Sequence, residues 1–178
     1  MYRKVFGLII VTGILLCSCK NTVVKTETES EAVNNKILQQ TDGTISLKVD
    51  KADCYQDKSN PSSNTAEWSV LVSKSGRFDV WMSSATKDTT DLKYDNSVKL
   101  SILDNRLEAV PACDKIVLNS MDVSYPFFRA DSFLGSLYIQ DTGLYNVQII
   151  SEKILTKDNH RDVENSKILS VVLKPITR

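Results

Sequence analysis

The stretch Glu67 to Met82, EWSVLVSKSGRFDVWM, constrains the fold more than any other. Trp68, Val70 and Val72 occupy every second position, Lys74-Ser75-Gly76 interrupts the run, and Phe78, Val80 and Met82 resume it. Period-two apolar spacing puts one side of a strand into a core, and a short Gly-containing break between two such runs predicts a β-hairpin. The pattern recurs with Leu137 and Ile139, then Asp141-Thr142-Gly143, then Tyr145, Val147 and Ile149. Both copies carry a small hydroxylated residue, a glycine, any residue, an aromatic, any residue and a valine. Two such units predict an all-β antiparallel sandwich with an approximate two-hairpin symmetry.

The rest of the chain agrees with this reading. Ile45, Leu47 and Val49 alternate, as do Val98, Leu100 and Ile102. Asp104-Asn105 is a turn signal before Leu107 and Val110. Lys115–Leu118 reads as a short strand, and Ile168–Leu173 as a last one stopped by Pro175. No stretch after Gly43 sustains a helical period. The helical crossovers of ten or more residues that a parallel sheet requires have no room. Residues 43–178 form one domain, of a size that buries about two-thirds of its unfolded surface.

The N-terminus reads as an address. Arg3 and Lys4 precede an apolar run from Val5 to Leu16, 12 residues long, within the range of a signal peptide and short for a bilayer span. Leu16-Cys17-Ser18-Cys19 follows. A leucine three positions before Cys19 and a small serine directly before it resemble the bacterial lipoprotein cleavage box. That resemblance implies removal of residues 1–18 and acylation of Cys19, which attaches the chain to a membrane through lipid. Cys17 follows the bulky Leu16 and is expected to be discarded with the leader. Residues 19–42 are rich in Thr, Glu, Asn, Gln and Ser and contain no aromatic residue. They read as a flexible tether, with transient helix between Glu29 and Gln40 as a further expectation.

Cys54 and Cys113 remain. Export to an oxidising compartment makes a disulfide between them one expectation, worth about 4 kcal/mol in the chain-entropy model. Two unlinked thiols are the alternative, because spacing alone does not bring two Cα atoms within bonding distance. With 22 basic and 22 acidic side chains, the chain has no net charge to attract nucleic acid. Catalysis is not indicated. The sole histidine, His160, stands in a charged loop without a triad motif, and no phosphate loop, Cys-x-x-Cys or His-Glu-x-x-His pattern occurs. The carboxylate pairs Asp88/Asp91 and Glu108/Asp114 have no sequence feature that sets the separation glycosidic chemistry needs.

The runs Glu67-Trp68-Ser69-Val70, Ser75-Gly76-Arg77-Phe78-Asp79-Val80 and Thr142-Gly143-Leu144-Tyr145-Asn146-Val147 resemble the galactose-binding-like jelly rolls. That family includes carbohydrate-binding modules and the accessory sandwiches of glycosidases such as bacterial α-L-fucosidases. Ser-Cys-Lys at the processing site, joined to a short sandwich, further resembles lipoproteins of the Bacteroides group. The resemblance implies a jelly-roll sandwich over roughly residues 43–174, binding a glycan outside the cytoplasm without catalysis. It implies a cell-envelope location at the outer membrane, on a side it does not specify. Many members hold a structural calcium; no residue here is assigned to one, and no other cofactor is expected. A sandwich that meets an envelope protein partner is the alternative reading.

Sugar recognition stacks a pyranose face on an aromatic ring while hydrogen bonds fix its hydroxyls. Trp68 shares its side with Val70 and Val72 and reads as core. Trp81 falls on the other side with Arg77 and Asp79, either covered by a loop or open to a ligand. Tyr125-Pro126-Phe127-Phe128-Arg129-Ala130-Asp131 is the densest aromatic cluster. There Arg129 and Asp131 face one way on an extended chain, either pairing to fix a plug of phenylalanines or donating to a ligand beside Tyr125 and Phe127. Tyr55, Tyr94 and the Asp88/Asp91 loop are further candidates.

Overall fold

The computed structural model describes residues 36–155 and 166–176. The leader, Cys19, the tether up to residue 35 and His160 lie outside the described residues. Among the described residues the strands are β1 (Ile37–Leu38), β2 (Ile45–Lys48), β3 (Asp53–Tyr55), β4 (Thr65–Val72), β5 (Gly76–Thr86), β6 (Val98–Ile102), β7 (Asn105–Ala109), β8 (Lys115–Val117), β9 (Phe128–Ile139), β10 (Gly143–Ile150) and β11 (Ser166–Pro175). They form a sandwich. One sheet is 6-stranded, ordered β1-β4-β10-β6-β7 with β3 also on β4, and the other is 5-stranded, ordered β2-β11-β5-β9-β8.

The two expected hairpins are not hairpins. β4 and β5 lie in opposite sheets, and so do β9 and β10. Each Gly-containing break carries the chain from one sheet to the other as an arch. The two copies of the motif pair with each other instead: β4 runs antiparallel to β10, with Trp68 opposite Val147 and Val70 opposite Tyr145. β5 runs antiparallel to β9, with Phe78 opposite Leu137 and Gly76 opposite Ile139. The correction has a plain geometric cause. A hairpin puts both alternating apolar sets on one sheet surface, whereas an arch turns them to face each other, and the one-dimensional pattern is the same in both cases. The apolar sets do face each other, because Trp68, Val70, Phe78, Val80, Val147 and Ile149 are all in one buried core. Trp68 is 2% exposed, and its indole Nε1 donates to the Lys48 carbonyl at 2.8 Å. β6 and β7 do form a hairpin around Leu103-Asp104.

The first arch is secured from outside the repeat. The Gln39 side chain accepts the Ser73 and Lys74 amides on Oε1 at 2.9 and 2.7 Å, and donates from Nε2 to the Gly43 and Lys74 carbonyls at 2.7 and 3.2 Å. Just before it, Ile37 and Leu38 pair in parallel with Val70 and Leu71. Thus the end of the stretch read as tether is built into the 6-stranded sheet, and β1 is strand where transient helix was considered. An arch leaves turn amides without cross-strand partners, and a side chain that supplies both acceptor and donor satisfies them.

The register of β5 on β9 shifts between Val80 and Trp81. The shift leaves Leu134 pointing inward, 6% exposed, and puts Phe133 beside Trp81 on the outer side. Gly135 permits it at φ +131, a conformation side chains rarely adopt, where an added Cβ would also lie 3.3 Å from Leu107 Cδ2. Gln39→Ala is expected to lower the unfolding free energy by about 1–2 kcal/mol, since it removes several hydrogen bonds from the arch amides. Urea denaturation measures this; an unchanged midpoint would show that water replaces the glutamine at no cost.

Candidate functional site

The outer surface of the 5-stranded sheet is the candidate site. Strand alternation that buries Phe78, Val80 and Met82 sends Arg77, Asp79, Trp81 and Ser83 outward. Trp81 lies opposite Phe133 on one side and Val172 on the other. The two rings stand 5.3 Å apart between centroids at 50°, and Phe133 is 43% exposed. Lys174 places its ammonium 5.7 Å from the Trp81 centroid. The half-buried Trp81 is therefore flanked by side chains of its own sheet. Below this row Ser136 donates to Asp79 at 2.5 Å.

Above it lies a compact charged cluster. Arg129 and Asp131, two apart on β9, face the same way and pair: Arg129 Nε and Nη2 donate to the two Asp131 oxygens at 2.8 and 3.0 Å. Arg129 Nη1 donates to Asp122 at 2.9 Å, and the Ser83 hydroxyl donates to Asp131 at 2.7 Å. Burial pushes the Asp131 carboxyl upward, but the hydrogen bonds from Arg129 and Ser83 outweigh it, so the net direction is down. The hydrogen bonds Arg129 donates to Asp131 and Asp122 raise its guanidinium still further above its ordinary range, against the opposing effect of burial. The arrangement fixes β9 and the loop before it, and it commits most of the Arg129 donors to carboxylates.

Trp81, Asp131 and Arg129 thus share one face in successive rows. Tyr125 and Phe127 do not stack there as a pair. Tyr125 is 93% exposed on the loop before β9, whereas Phe127 is half-buried with the Lys87 ammonium 5.2 Å from its centroid. Neither Phe127 nor Phe128 belongs to the buried core. Phe133 and Lys174 were missed in sequence. Phe133 sits on the outer side only because of the register shift, and Lys174 meets Trp81 only through the pairing of β11 with β5.

The expected bond between Cys54 and Cys113 is absent. Cys54 is on β3, at one side of the 6-stranded sheet, with its thiol 3.9 Å from the Val49 carbonyl. Cys113 follows β7 at the other side. At about 4.8 Å per strand the intervening sheet is ~19 Å wide, beyond the ~7 Å limit between Cα atoms of a disulfide. Burial, with Asp88, Asp91 and Asp114 nearby, pushes the Cys113 thiol up and keeps it protonated.

The remaining candidates serve local structure. Asp88 accepts from Thr90 and from the Asp91 amide, and Asp91 pairs with Lys93 at 2.7 Å. Hydrogen bonds from Thr90 and Lys93, respectively, lower both carboxyls. Tyr94 lies 3.3 Å from the Ser84 hydroxyl, and burial raises its phenol strongly. Glu108 accepts from Ser97, and Asp114 accepts the Phe133 amide at 2.7 Å. Tyr55 is exposed on the edge strand β3. Among the described residues no group of three His, Cys, Asp or Glu is placed to hold a metal ion, and no helix is long and apolar enough to cross a membrane.

No protein-family model matches the chain, and no curated protein matches it in sequence. Solved structures do. The chain is similar to the α-L-fucosidase from Vibrio sp. strain EJY3, with 21% identity and a TM-score of 0.61, over 80% of this chain and 24% of that one. More distantly it is similar to the GH26-CBM35 β-(1,4)-mannanase of Podospora anserina, with 13% identity and a TM-score of 0.47, over 77% of this chain and 28% of that one. What the chain shares with the fucosidase is the sandwich fold, and it spans about a quarter of the length of either enzyme.

Arg129→Ala is expected to cost about 2–3 kcal/mol, because Asp131 would stay buried without its charged partner. In the native chain a carboxyl held below its ordinary 3.8 adds stability above that pH, and this is lost as pH falls through the folded value. The variant lacks this contribution, so its stability should fall less on acidification and its deficit against the native chain should narrow toward pH 3. Denaturant midpoints between pH 3 and 7 measure both effects; identical profiles would show that the pair does not hold β9.

Proposed function

We propose that the chain is a non-catalytic, carbohydrate-binding lipoprotein module, with its ligand on the outer face of the 5-stranded sheet at Trp81 and Phe133. The observation that carries this is the partly exposed aromatic pair in the middle of a polar sheet surface, bordered by Lys174, Asp79 and Ser136. A tilted pair of rings offers a pyranose an apolar platform, and the bordering side chains offer donors and acceptors to its hydroxyls. The sandwich that this chain resembles in a fucosidase makes up a quarter of that enzyme, in keeping with a module that serves carbohydrate chemistry performed elsewhere. The carboxylates considered for catalysis are each engaged in local hydrogen bonds or ion pairs, which supports a binding role.

On this reading Cys19 is acylated and holds the module at the cell envelope, at the outer membrane. The 16 residues between Cys19 and Lys36 reach at most about 55 Å from the lipid. Cys19→Ala should release the protein from the membrane fraction, as fractionation and intact mass would report; continued membrane association of an unacylated chain would remove the anchor.

A second reading, a sandwich that meets an envelope protein, is favoured by one feature. Leu38, Leu71 and Leu144 lie side by side on the outer surface of the 6-stranded sheet, 64%, 41% and 52% exposed, and an apolar row of this kind suits a protein contact. A glycan array probed with the leaderless protein separates the two readings. Binding that Trp81→Ala weakens by about tenfold or more supports the platform, in line with ~1–3 kcal/mol for a stacking aromatic contact. A broad panel without a hit would move the assignment to the leucine row.

A further inference from the structure

The chain is neutral as a whole, yet its two outer sheet surfaces differ in charge. Register and alternation place Lys48, Arg77, Lys115 and Lys174, all exposed, on the outer surface of the 5-stranded sheet with Trp81. The carboxylates among the described residues of that surface are Asp79 and Asp131. Asp131 is matched by Arg129, and Asp79, which accepts from Ser136, lies opposite Lys174 and offsets one cation, leaving Lys48, Arg77 and Lys115 in excess. At the rim, Asp122 takes up the rest of the Arg129 charge, and Asp114 accepts the Phe133 amide. The opposite surface has Lys99 and Arg106 against Asp53, Glu67 and Glu108. Positive charge is thus gathered around the aromatic pair, with Lys174 nearest to it.

We propose that the ligand of this surface is an acidic polysaccharide, one whose sugars carry uronate or sulfate groups. The inference rests on the platform reading and narrows its ligand class. A pyranose stacked on Trp81 would set a ring substituent within reach of Lys174, which stands over the same indole. Flanking residues along a chain would meet Lys48 and Lys115 one row above or Arg77 two rows below. A neutral glycan would use the rings and leave these cations idle. An anionic one gains a long-range attraction that also speeds encounter. Lys174 is the residue to change, because its exposed ammonium can be removed without disturbing the core.

The test is titration of the leaderless protein with oligogalacturonate, a carrageenan oligosaccharide (sulfated, without uronate), and a neutral mannan oligosaccharide of matched length. The expected result is tighter binding of an acidic probe than of the neutral one, by about tenfold. Raising NaCl from about 50 to 500 mM should weaken it severalfold as surface charges are screened. Lys174→Gln should weaken it by about threefold to fivefold, Trp81→Ala should abolish it, and Lys99→Gln on the other surface should leave it unchanged. Whichever of uronate and sulfate binds more tightly identifies the anion. Equal, salt-insensitive and Trp81-dependent binding of the neutral probe would overturn the acidic ligand and keep the platform. Acid binding that survives Trp81→Ala would be diffuse attraction and would also overturn it. Binding of no probe would overturn the proposal and the platform together.

Discussion

Everything in this molecule depends on two places where the chain changes sheets. At Ser73–Ser75 and again at Asp141–Thr142 an apolar strand ends in one sheet and the next begins in the other. Because the crossings lie side by side, the outgoing and returning strands of the two copies pair as β4 with β10 and β5 with β9. Those pairings run through the middle of both sheets, so the core closes only when the two arches meet. Contacts so distant in sequence are entropically costly to form and are compensated only by the burial they complete. The Gln39 side chain, reaching the first arch from before β2, shows that the arch amides need a partner from elsewhere.

The same geometry produces the outer site. An arch directs the inward residues of β4 and β5 toward one another, which leaves Trp81 on the free surface of the second sheet. The register shift at Leu134–Gly135 then brings Phe133 opposite it. One row away, Arg129, Asp131, Asp122 and Ser83 satisfy one another, and this matters because a partly buried carboxylate is tolerated only when paired and hydrogen-bonded. The charge cluster stiffens the sheet beneath the aromatic pair, and the rings with Lys174 remain accessible. On the proposed reading, rigid support beneath the ring pair limits the ordering cost of binding a ligand.

Much of this was legible in the residues. Period-two spacing identified the major strands, the burial of Trp68 and the placement of Trp81 on the outer side of its strand. The i, i+2 spacing of Arg129 and Asp131 anticipated their pairing. Other features were hidden for definite reasons. Phe133 depends on a bulge, Lys174 on which strand lies beside β5, and the separation of Cys54 from Cys113 on the width of a sheet whose order the sequence does not state. Ile37 and Leu38 are too short a run to stand out from the polar stretch before them, and they become a strand only because β4 offers a free edge.

The repeated motif shows where the boundary lies. By itself the sequence determined that residues 67–82 and 137–149 are pairs of amphipathic strands, because alternation specifies which side of a strand is apolar whatever its neighbour. Only the tertiary structure decided that each pair spans the two sheets and that its partner is the other copy. Hairpin and arch bury the same side chains, and what separates them is the pairing of backbone groups far apart along the chain.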